Sequence, residues 1–363
     1  MNKSKSKKEL LEKTHDLSKI KKVIGIVSGK GGVGKSSVTS MLAIAMRRAG
    51  YKVGILDADI TGPSIPKAFG IKKKAQTKEN VMYPIETKTG IKVMSINLLL
   101  DNENDPVIWR GPILSNVVKQ FWKDVIWGEL DYLFIDMPPG TGDVVLTAFQ
   151  SIKIDGIVVV TSPQDLVSMI VNKSVNMAEM MDIKVLGLIE NMSFFECSKC
   201  GEKHNIFGES HIEKIAKEHK LSVITRLPID KNIAENCDTG DIELLDGEWF
   251  EDIRAFLDEE DKENRNIEKI AIAVDSDKVS LHFGQCKQFN VYSLQDKQIC
   301  KCEIIENPGH KPGFLPKFLA EKNISMVIAK DMGPAAKDLF KDYGIDVVLV
   351  VEDSIDDVIK KIF

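Results

Sequence analysis

The chain has 363 residues, 43% of them hydrophobic and 28% charged, with a formal net charge of −5. That apolar share excludes global disorder, and the length predicts two or three domains at ~150 residues each. The negative balance argues against a dedicated duplex-binding protein, and the longest apolar runs, Ile157–Val160 and Val347–Val351, are too short to cross a membrane as helices.

Residues 1–21 form a lysine-rich lead with neither the apolar core nor the cleavage site of a secretory signal, and are expected to be solvated and partly helical. From residue 22 to 257, short β-branched runs alternate with longer helical ones. Strands are expected at Val23–Ser28, Lys52–Leu56, Tyr132–Ile135, Gly156–Thr161, Val185–Ile189 and Val223–Arg226. Helices are expected at Ser36–Ala49, Ile113–Val125 and Ser168–Met181. Such alternation predicts an α/β fold, a mainly parallel sheet with helices on both faces. Residues 258–265 are almost wholly charged and read as a linker, or as the acidic end of a helix begun at Trp249. Residues 266–363 read as a smaller α/β domain. Its strands are expected at Ile270–Val274, Asn290–Leu294, Cys300–Ile305, Met326–Ala329 and Val347–Val351, and its helices at Leu315–Lys322 and Pro334–Tyr343.

Gly29, Lys30, Gly31, Gly32, Val33, Gly34, Lys35 and Ser36 match the phosphate-cradling pattern G-x-x-x-x-G-K-[ST] between a strand and a helix, the context the pattern needs. Glycines let backbone N–H groups turn inward around phosphate oxygens, and the helix start adds its positive end. Lys35 is expected on the β- and γ-phosphates of ATP and Ser36 on Mg2+, with Ser37 beside it. Lys30 is a spare cation early in the loop, able to reach a neighbour's phosphates and stabilise charge on a transferring phosphoryl group. Two acidic strand ends complete the expected site. Asp59 would orient the attacking water and join the Mg2+ shell, and Asp136 would hold that shell from the next strand end.

Six cysteines without a secretory signal fit a reducing, cytoplasmic setting, where close spacing marks metal or redox chemistry more often than disulfides. Cys197 and Cys200 can chelate one metal or two corners of a cluster. Two thiolates leave a four-coordinate site half filled, which a second copy across a twofold axis would complete. Four thiolates suit a 4Fe–4S cluster or tetrahedral zinc. The alternatives are a one-chain zinc site recruiting His204 or His211, and a thioredoxin-like redox pair. Cys237 stands alone in a helical stretch and reads as structural.

These motifs, with Leu56–Pro66, Phe134–Asp143, Thr161–Gln164 and Glu190–Ser193, occur in one order that closely resembles the Mrp/ApbC iron–sulfur cluster carrier ATPases. Those ATPases share a deviant P-loop class with the nitrogenase iron protein and the septum-site ATPases. The resemblance spans roughly Lys22–Glu260. It implies an ATP-binding and ATP-hydrolysing homodimer, with Lys30 acting in trans. It further implies a labile cluster, of the 4Fe–4S kind, bridged between paired Cys197 and Cys200. The cluster would come from scaffold proteins of cluster assembly and pass to apoproteins. Asn191 is implied to recognise adenine, with Pro228 and Asp230 nearby, and the loops after Asp59 and Asp136 to relay nucleotide state to the cluster. No cysteine precedes Cys197, so a second, N-terminal cluster is not expected.

Residues 266–363 resemble the NifX-like domain of nitrogenase cofactor-biosynthesis proteins, through Ile270–Asp275, His282–Gly284, Asn307–Gly309 and Met332–Pro334. This implies a ribonuclease-H-like fold able to hold an iron–sulfur or iron–molybdenum species, with His282, Cys286, Cys300, Cys302 and His310 as candidate ligands. Two rival readings are a positioning ATPase that binds membrane or DNA and a regulatory ATPase clasped by zinc. The first needs a terminal amphipathic helix or a basic surface. The segment Asp353–Phe363 is short and charged on both signs, so neither membrane nor nucleic acid is expected as a partner.

Overall fold

The computed structural model describes residues 11–59, 62, 64–78, 81–100, 111–163, 167–265, 267–276, 278–295, 298–309 and 313–362. The chain divides into two units, Met1–Phe256 and Leu257–Phe363.

The first unit contains β1 (Lys19–Val27), β2 (Val53–Asp57), β3 (Gln76–Lys78), β4 (Val81–Tyr83), β5 (Ile85–Glu86) and β6 (Lys92–Ser95). It continues with β7 (Glu129–Asp136), β8 (Gly156–Thr161), β9 (Val185–Glu196), β10 (Lys203–His204) and β11 (Ser222–Pro228). Among the described residues, nine of these strands form one sheet in the order β10-β9-β8-β1-β7-β2-β6-β5, with β11 also on β9. The pairings from β6 across to β9, and of β9 with β11, are parallel; β5 and β10 add short antiparallel edges.

A parallel strand covered on both faces buries every side chain, which is why β2 and β8 are apolar runs without alternation. On one face, Leu133 and Ile135 of β7 pack into a core with Phe121, Val145, Phe149 and Val175 from the helices Gly111–Lys123, Asp143–Ser151 and Val167–Met180. One residue along the pleat, Tyr132 and Phe134 point the other way and stack at 5.9 Å, with Tyr51 edge-on to Tyr132 at 5.2 Å. That face is covered by the helix Lys35–Arg48, which buries Val38, Met41, Leu42 and Ala45. Burying side chains the size of Val38, Met41 and Leu42 contributes about 1.5–3 kcal/mol each. The packing holds the carboxyl ends of β1, β2 and β7 side by side, with Asp57 in register with Asp136.

β9 does not stop at Ile189, as expected, but continues to Glu196. Of the two readings for residues 258–265 the structure has the helical one, the end of the helix Trp249–Arg265. In the second case Glu259, Glu260, Lys262, Glu263 and Arg265 are residue types of good intrinsic helix propensity.

The second unit contains β12 (Ile267–Asp275), β13 (Lys278–Val279), β14 (Gln288–Gln295), β15 (Gln298–Glu306), β16 (Met326–Ala329) and β17 (Asp346–Leu349). Their order is β15-β14-β12-β16-β17 with β13 on β12; the hairpin strands are antiparallel, and β16 and β17 join in parallel after the helices Phe314–Ala320 and Pro334–Asp342. Ala271, Ala273, Phe289, Val291 and Phe340 pack on one face; Ile270, Ile272, Tyr292, Leu294 and Val358 pack on the other. This is the smaller mixed α/β domain expected. Among the described residues, no helix is long and apolar enough to cross a membrane.

Candidate functional site

The chain leaves β1 after Val27 and re-enters regular structure at Lys35. Gly32 (φ 79°) and Gly34 (φ 75°) turn the loop through left-handed backbone that costs other residues roughly 1–2 kcal/mol each. No side chain caps the helix Lys35–Arg48, so its first N–H groups are left for an anion. Ser28, Lys30, Gly31 through Ser37, Asp59, Ser64 and Pro139 line a cleft of about 230 Å³ at that helix start.

Lys35 is buried, with Nζ 2.7 Å from Asp136 Oδ1 and 3.8 Å from Asp59 Oδ2. Ser36 Oγ donates to Asp136 Oδ2 at 2.6 Å, and Thr39 Oγ1 donates to Oδ1 at 2.8 Å. Asp57 is fully buried and accepts from Ser95 Oγ at 3.0 Å. Burial first, and then the neighbouring Asp136, hold its carboxyl well above the ordinary carboxylate range. Three carboxylates thus surround one lysine at the mouth of a phosphate cradle. The hard oxygen donors Ser36 and Asp136 fit Mg2+, which would neutralise charge on the nucleotide's phosphates when bound there.

Asn191 reaches the same loop from β9. Its Nδ2 donates to the Val33 carbonyl at 2.9 Å, and a Cβ on Gly34 would stand 2.2 Å from that nitrogen. Asn191 therefore holds the phosphate loop, whatever it does toward a base. Pro228 ends β11, and Asp230 caps the helix Lys231–Thr239 by accepting from Asn232 N–H at 2.8 Å. Both lie outside the lining of the phosphate cleft. Ser37 Oγ lies 3.7 Å from Cys237 Sγ, so the lone cysteine packs against the helix that opens at the cradle, and burial raises its thiol pKa.

The cysteine pair sits on a turn between β9 and β10. Cys197 N–H donates to Glu202 O at 2.9 Å and Gly201 N–H to Cys197 O at 2.8 Å, with Gly201 at φ 73°. Hydrogen bonds from the backbone N–H groups of Lys199 and Cys200, and from the Cys200 thiol, hold the Cys197 pKa below the ordinary thiol value. A turn that favours the thiolate favours the form that ligates metal. Cys200 is exposed and Cys197 half-exposed. His204 lies 4.0 Å from Glu202, and His211 precedes the helix Ile212–His219. Among the described residues, no three His, Cys, Asp or Glu side chains are gathered for a metal, so the one-chain zinc site is not assembled.

Residues 19–258 match the family described as the NUBPL iron-transfer P-loop NTPase. The chain belongs to that family. Relatives of this NUBPL-family chain include an iron–sulfur cluster carrier protein of Clostridium perfringens, 50% identical over 232 residues, which are 62% of this chain and 81% of the relative. Another, from Methanocaldococcus jannaschii, is 49% identical over 245 residues, 67% of this chain and 84% of the relative. A solved nucleotide-binding protein of Archaeoglobus fulgidus in complex with ADP is 43% identical, with a TM-score of 0.59, over 68% of this chain and 95% of its own.

Residues 268–363 of the NUBPL-family chain match a second family, described as dinitrogenase iron-molybdenum cofactor. Among the described residues, the candidate ligands of this tail do not come together as a group. Cys286 is buried in the core that holds Phe289, its Sγ is 3.6 Å from Asn307 Nδ2, and burial pushes its thiol up to about 11. Cys302 pairs across from Tyr292 and so lies on the opposite face of the sheet, and the Cys300 thiol donates to the Ser293 carbonyl at 3.2 Å. His282 is exposed, 3.5 Å from Asp331, and His310 lies outside the described residues. Placement is the physical reason: Cys302 on β15 shares the face of its cross-strand partner Tyr292, whereas Cys286 precedes β14 and packs into the core on the other face. A cleft of about 370 Å³ opens instead beside His282, lined also by Phe283, Met332, Gly333 and Leu339.

Thr39, Asp57 and Ser95 were not singled out from sequence. Thr39 had a signal, one helical turn beyond Lys35 on the same face. Asp57 had a weaker one as the last residue of a strand. Ser95 had none, because its value depends on β6 lying beside β2.

Proposed function

We propose that the chain is an ATP-hydrolysing iron–sulfur cluster carrier. Two copies bind ATP in their cradles, hold one labile cluster between paired Cys197 and Cys200, and pass it to apoproteins after loading from cluster-assembly scaffolds. The observation that carries this reading is the Cys197–Cys200 turn, a thiolate-favouring hairpin on the strand whose Asn191 touches the phosphate loop. Two thiolates fill half of a 4Fe–4S cluster's four corners, and a residue near a twofold axis meets its own copy. Phe195, Ile206 and Phe207 are exposed close by in sequence, apolar surface for a second copy to bury. The relatives named as iron–sulfur cluster carrier proteins, and the ADP-bound neighbour, support the same reading.

In this reading Lys35 passes from Asp136 to the β- and γ-phosphates, and Ser36 and Asp136 hold Mg2+. Asp59 orients the attacking water, and Lys30 of the second copy stabilises charge on the transferring group. The tail would hold a metallocluster at the cleft beside His282 rather than at its cysteines.

Iron, acid-labile sulfide and zinc measured per chain on anaerobically purified protein test the proposal. About two irons and two sulfides per chain are expected, lost in the Cys197→Ala/Cys200→Ala variant apart from any iron held by the tail. Zinc near one half per chain without sulfide would replace the carrier by a zinc-clasped dimer.

A further inference from the structure

The phosphate loop, the Pro228–Asp230 turn and the cysteine turn all meet on one short piece of strand. β9 and β11 run parallel with Arg226 opposite Glu190 and then Pro228 opposite Phe194, so residues 191–193 of β9 face the single residue Leu227 of β11. This bulge carries Met192 in left-handed backbone, φ 57°, and turns Asn191 onto the Val33 carbonyl. Beyond it, Phe194 O accepts from Ile229 N–H at 2.7 Å, which ties the strand to the Pro228–Asp230 turn. The strand then ends at Glu196, one residue before Cys197. Bulges of this kind re-aim side chains and concentrate beside functional sites.

A buried clamp holds the bulge to the return arm of the cysteine loop. Glu190 is fully buried and accepts from Ser193 Oγ and, at 2.9 Å, from Ser210 Oγ. Arg226 Nε donates to Ser193 Oγ at 2.9 Å and lies 3.5 Å from Glu190 Oε2. Ser210 sits between β10 and the helix Ile212–His219, so this one carboxylate grips the chain both before and after the Cys197–Cys200 turn. A buried charge with several partners tolerates few alternative geometries, which makes the clamp a stiff connection.

We infer that the Glu190–Ser193 bulge, clamped to Ser210 and Arg226, is the positioning element that couples nucleotide binding to the metal affinity of Cys197 and Cys200. This inference rests on the carrier reading of the cysteine pair. It moves the coupling away from the loops after Asp59 and Asp136, since the cysteines continue β9 and neither of those strands. A nucleotide that reshapes the phosphate loop pulls on Asn191, and the clamp carries the displacement to both arms of the turn. Coupling between sites is reciprocal: if nucleotide alters metal affinity, metal alters nucleotide affinity by the same factor.

The test uses the full chain, reduced and metal-free, with Co2+ alone as the metal probe, read by its thiolate charge-transfer absorption. Co2+ affinity is measured with and without a non-hydrolysable ATP analogue, and analogue affinity with and without Co2+. The wild type is expected to show the same shift both ways, about fivefold or more. Ser210→Ala removes one arm of the clamp while leaving Glu190 its other partners. It is expected to bind each ligand alone as the wild type does, yet lose most of the shift, and Ser210→Thr is expected to restore it. A merely structural serine would weaken both ligands alike and leave their ratio unmoved. If the wild type binds both ligands with no mutual shift, or Ser210→Ala keeps the full shift, the coupling inference is wrong and the carrier reading stands. If Co2+ fails to reach the cysteines, or Cys197→Ala/Cys200→Ala gives the same absorption, the carrier reading itself fails and takes the inference with it.

Discussion

Lys35 Nζ lies against both Asp136 and Asp59 at a site where Asp57 is also buried, so its removal has two separable consequences. Lys35→Ala is expected to abolish ATP binding, read by titration calorimetry. It is also expected to destabilise the first unit by about 3–5 kcal/mol in a denaturant melt, because it leaves buried carboxylate charge uncompensated. Normal ATP affinity in that variant would contradict the site. Lys30 lines the same cleft but stands in the loop before the helix, so Lys30→Ala is expected to leave ATP affinity near normal. If Lys30 acts in trans as a finger-type cation, turnover falls by roughly 10³-fold, and an unchanged rate removes that role. Cys286 gives a pH dependence of known sign. Its folded-state thiol sits at about 11, above the ordinary thiol value, so folding favours the protonated form. The stability it contributes is complete below the ordinary thiol value of 9.0 and is lost as pH rises from there toward 11, by roughly 2–3 kcal/mol. Alkylation followed by mass spectrometry at pH 8 is expected to label Cys197 and Cys200 while sparing Cys286. Rapid labelling of Cys286 in the folded chain would show that it is not the buried core residue described.

At the scale of elements, the phosphate loop and β9 are one mechanical piece. Gly34 is needed twice, for its φ of 75° and for the space Asn191 occupies. Gly34→Ala is therefore expected to cost about 1–3 kcal/mol and to displace Asn191, lowering both the melting temperature and ATP affinity. A variant with wild-type melting and binding would mean the two residues do not press on each other. The pattern around Gly34 was legible in sequence because its spacing is covalent: strand, glycine loop, lysine and helix follow one another directly. The hold of Asn191 on the loop was not, since its bond to the Val33 carbonyl joins residues 158 apart. β9 shows the same boundary. Its apolar first half, Leu186–Ile189, reads as a buried strand, whereas Asn191–Glu196 is polar and aromatic in mixture and stays a strand only because β11 and β10 pair with it. Tertiary pairing overrides weak local preference there.

For the molecule as a whole, two units carry their own cores. The first gathers its helices on the large parallel sheet, and the second packs Phe283 against both Phe289 and Phe340, at ring separations of 5.6 and 5.3 Å. Phe340→Ala is expected to destabilise the second unit by about 3–5 kcal/mol and leave ATP binding by the first intact. Calorimetry with and without nucleotide reads both effects, and a loss of ATP affinity in that variant would show that the two cores are not independent. The sequence by itself determined the α/β class, the change of composition near residue 258, the phosphate cradle and the close spacing of Cys197 and Cys200. All of these depend on neighbours along the chain, where residue type and spacing state the chemistry. Only the tertiary structure decided that Asp57 joins Asp136 and Lys35, that Glu190 clamps both arms of the cysteine turn, and that Cys286 is parted from Cys300 and Cys302. Those facts depend on which strands lie side by side and in what register, and one step of register carries a side chain to the other face of the sheet.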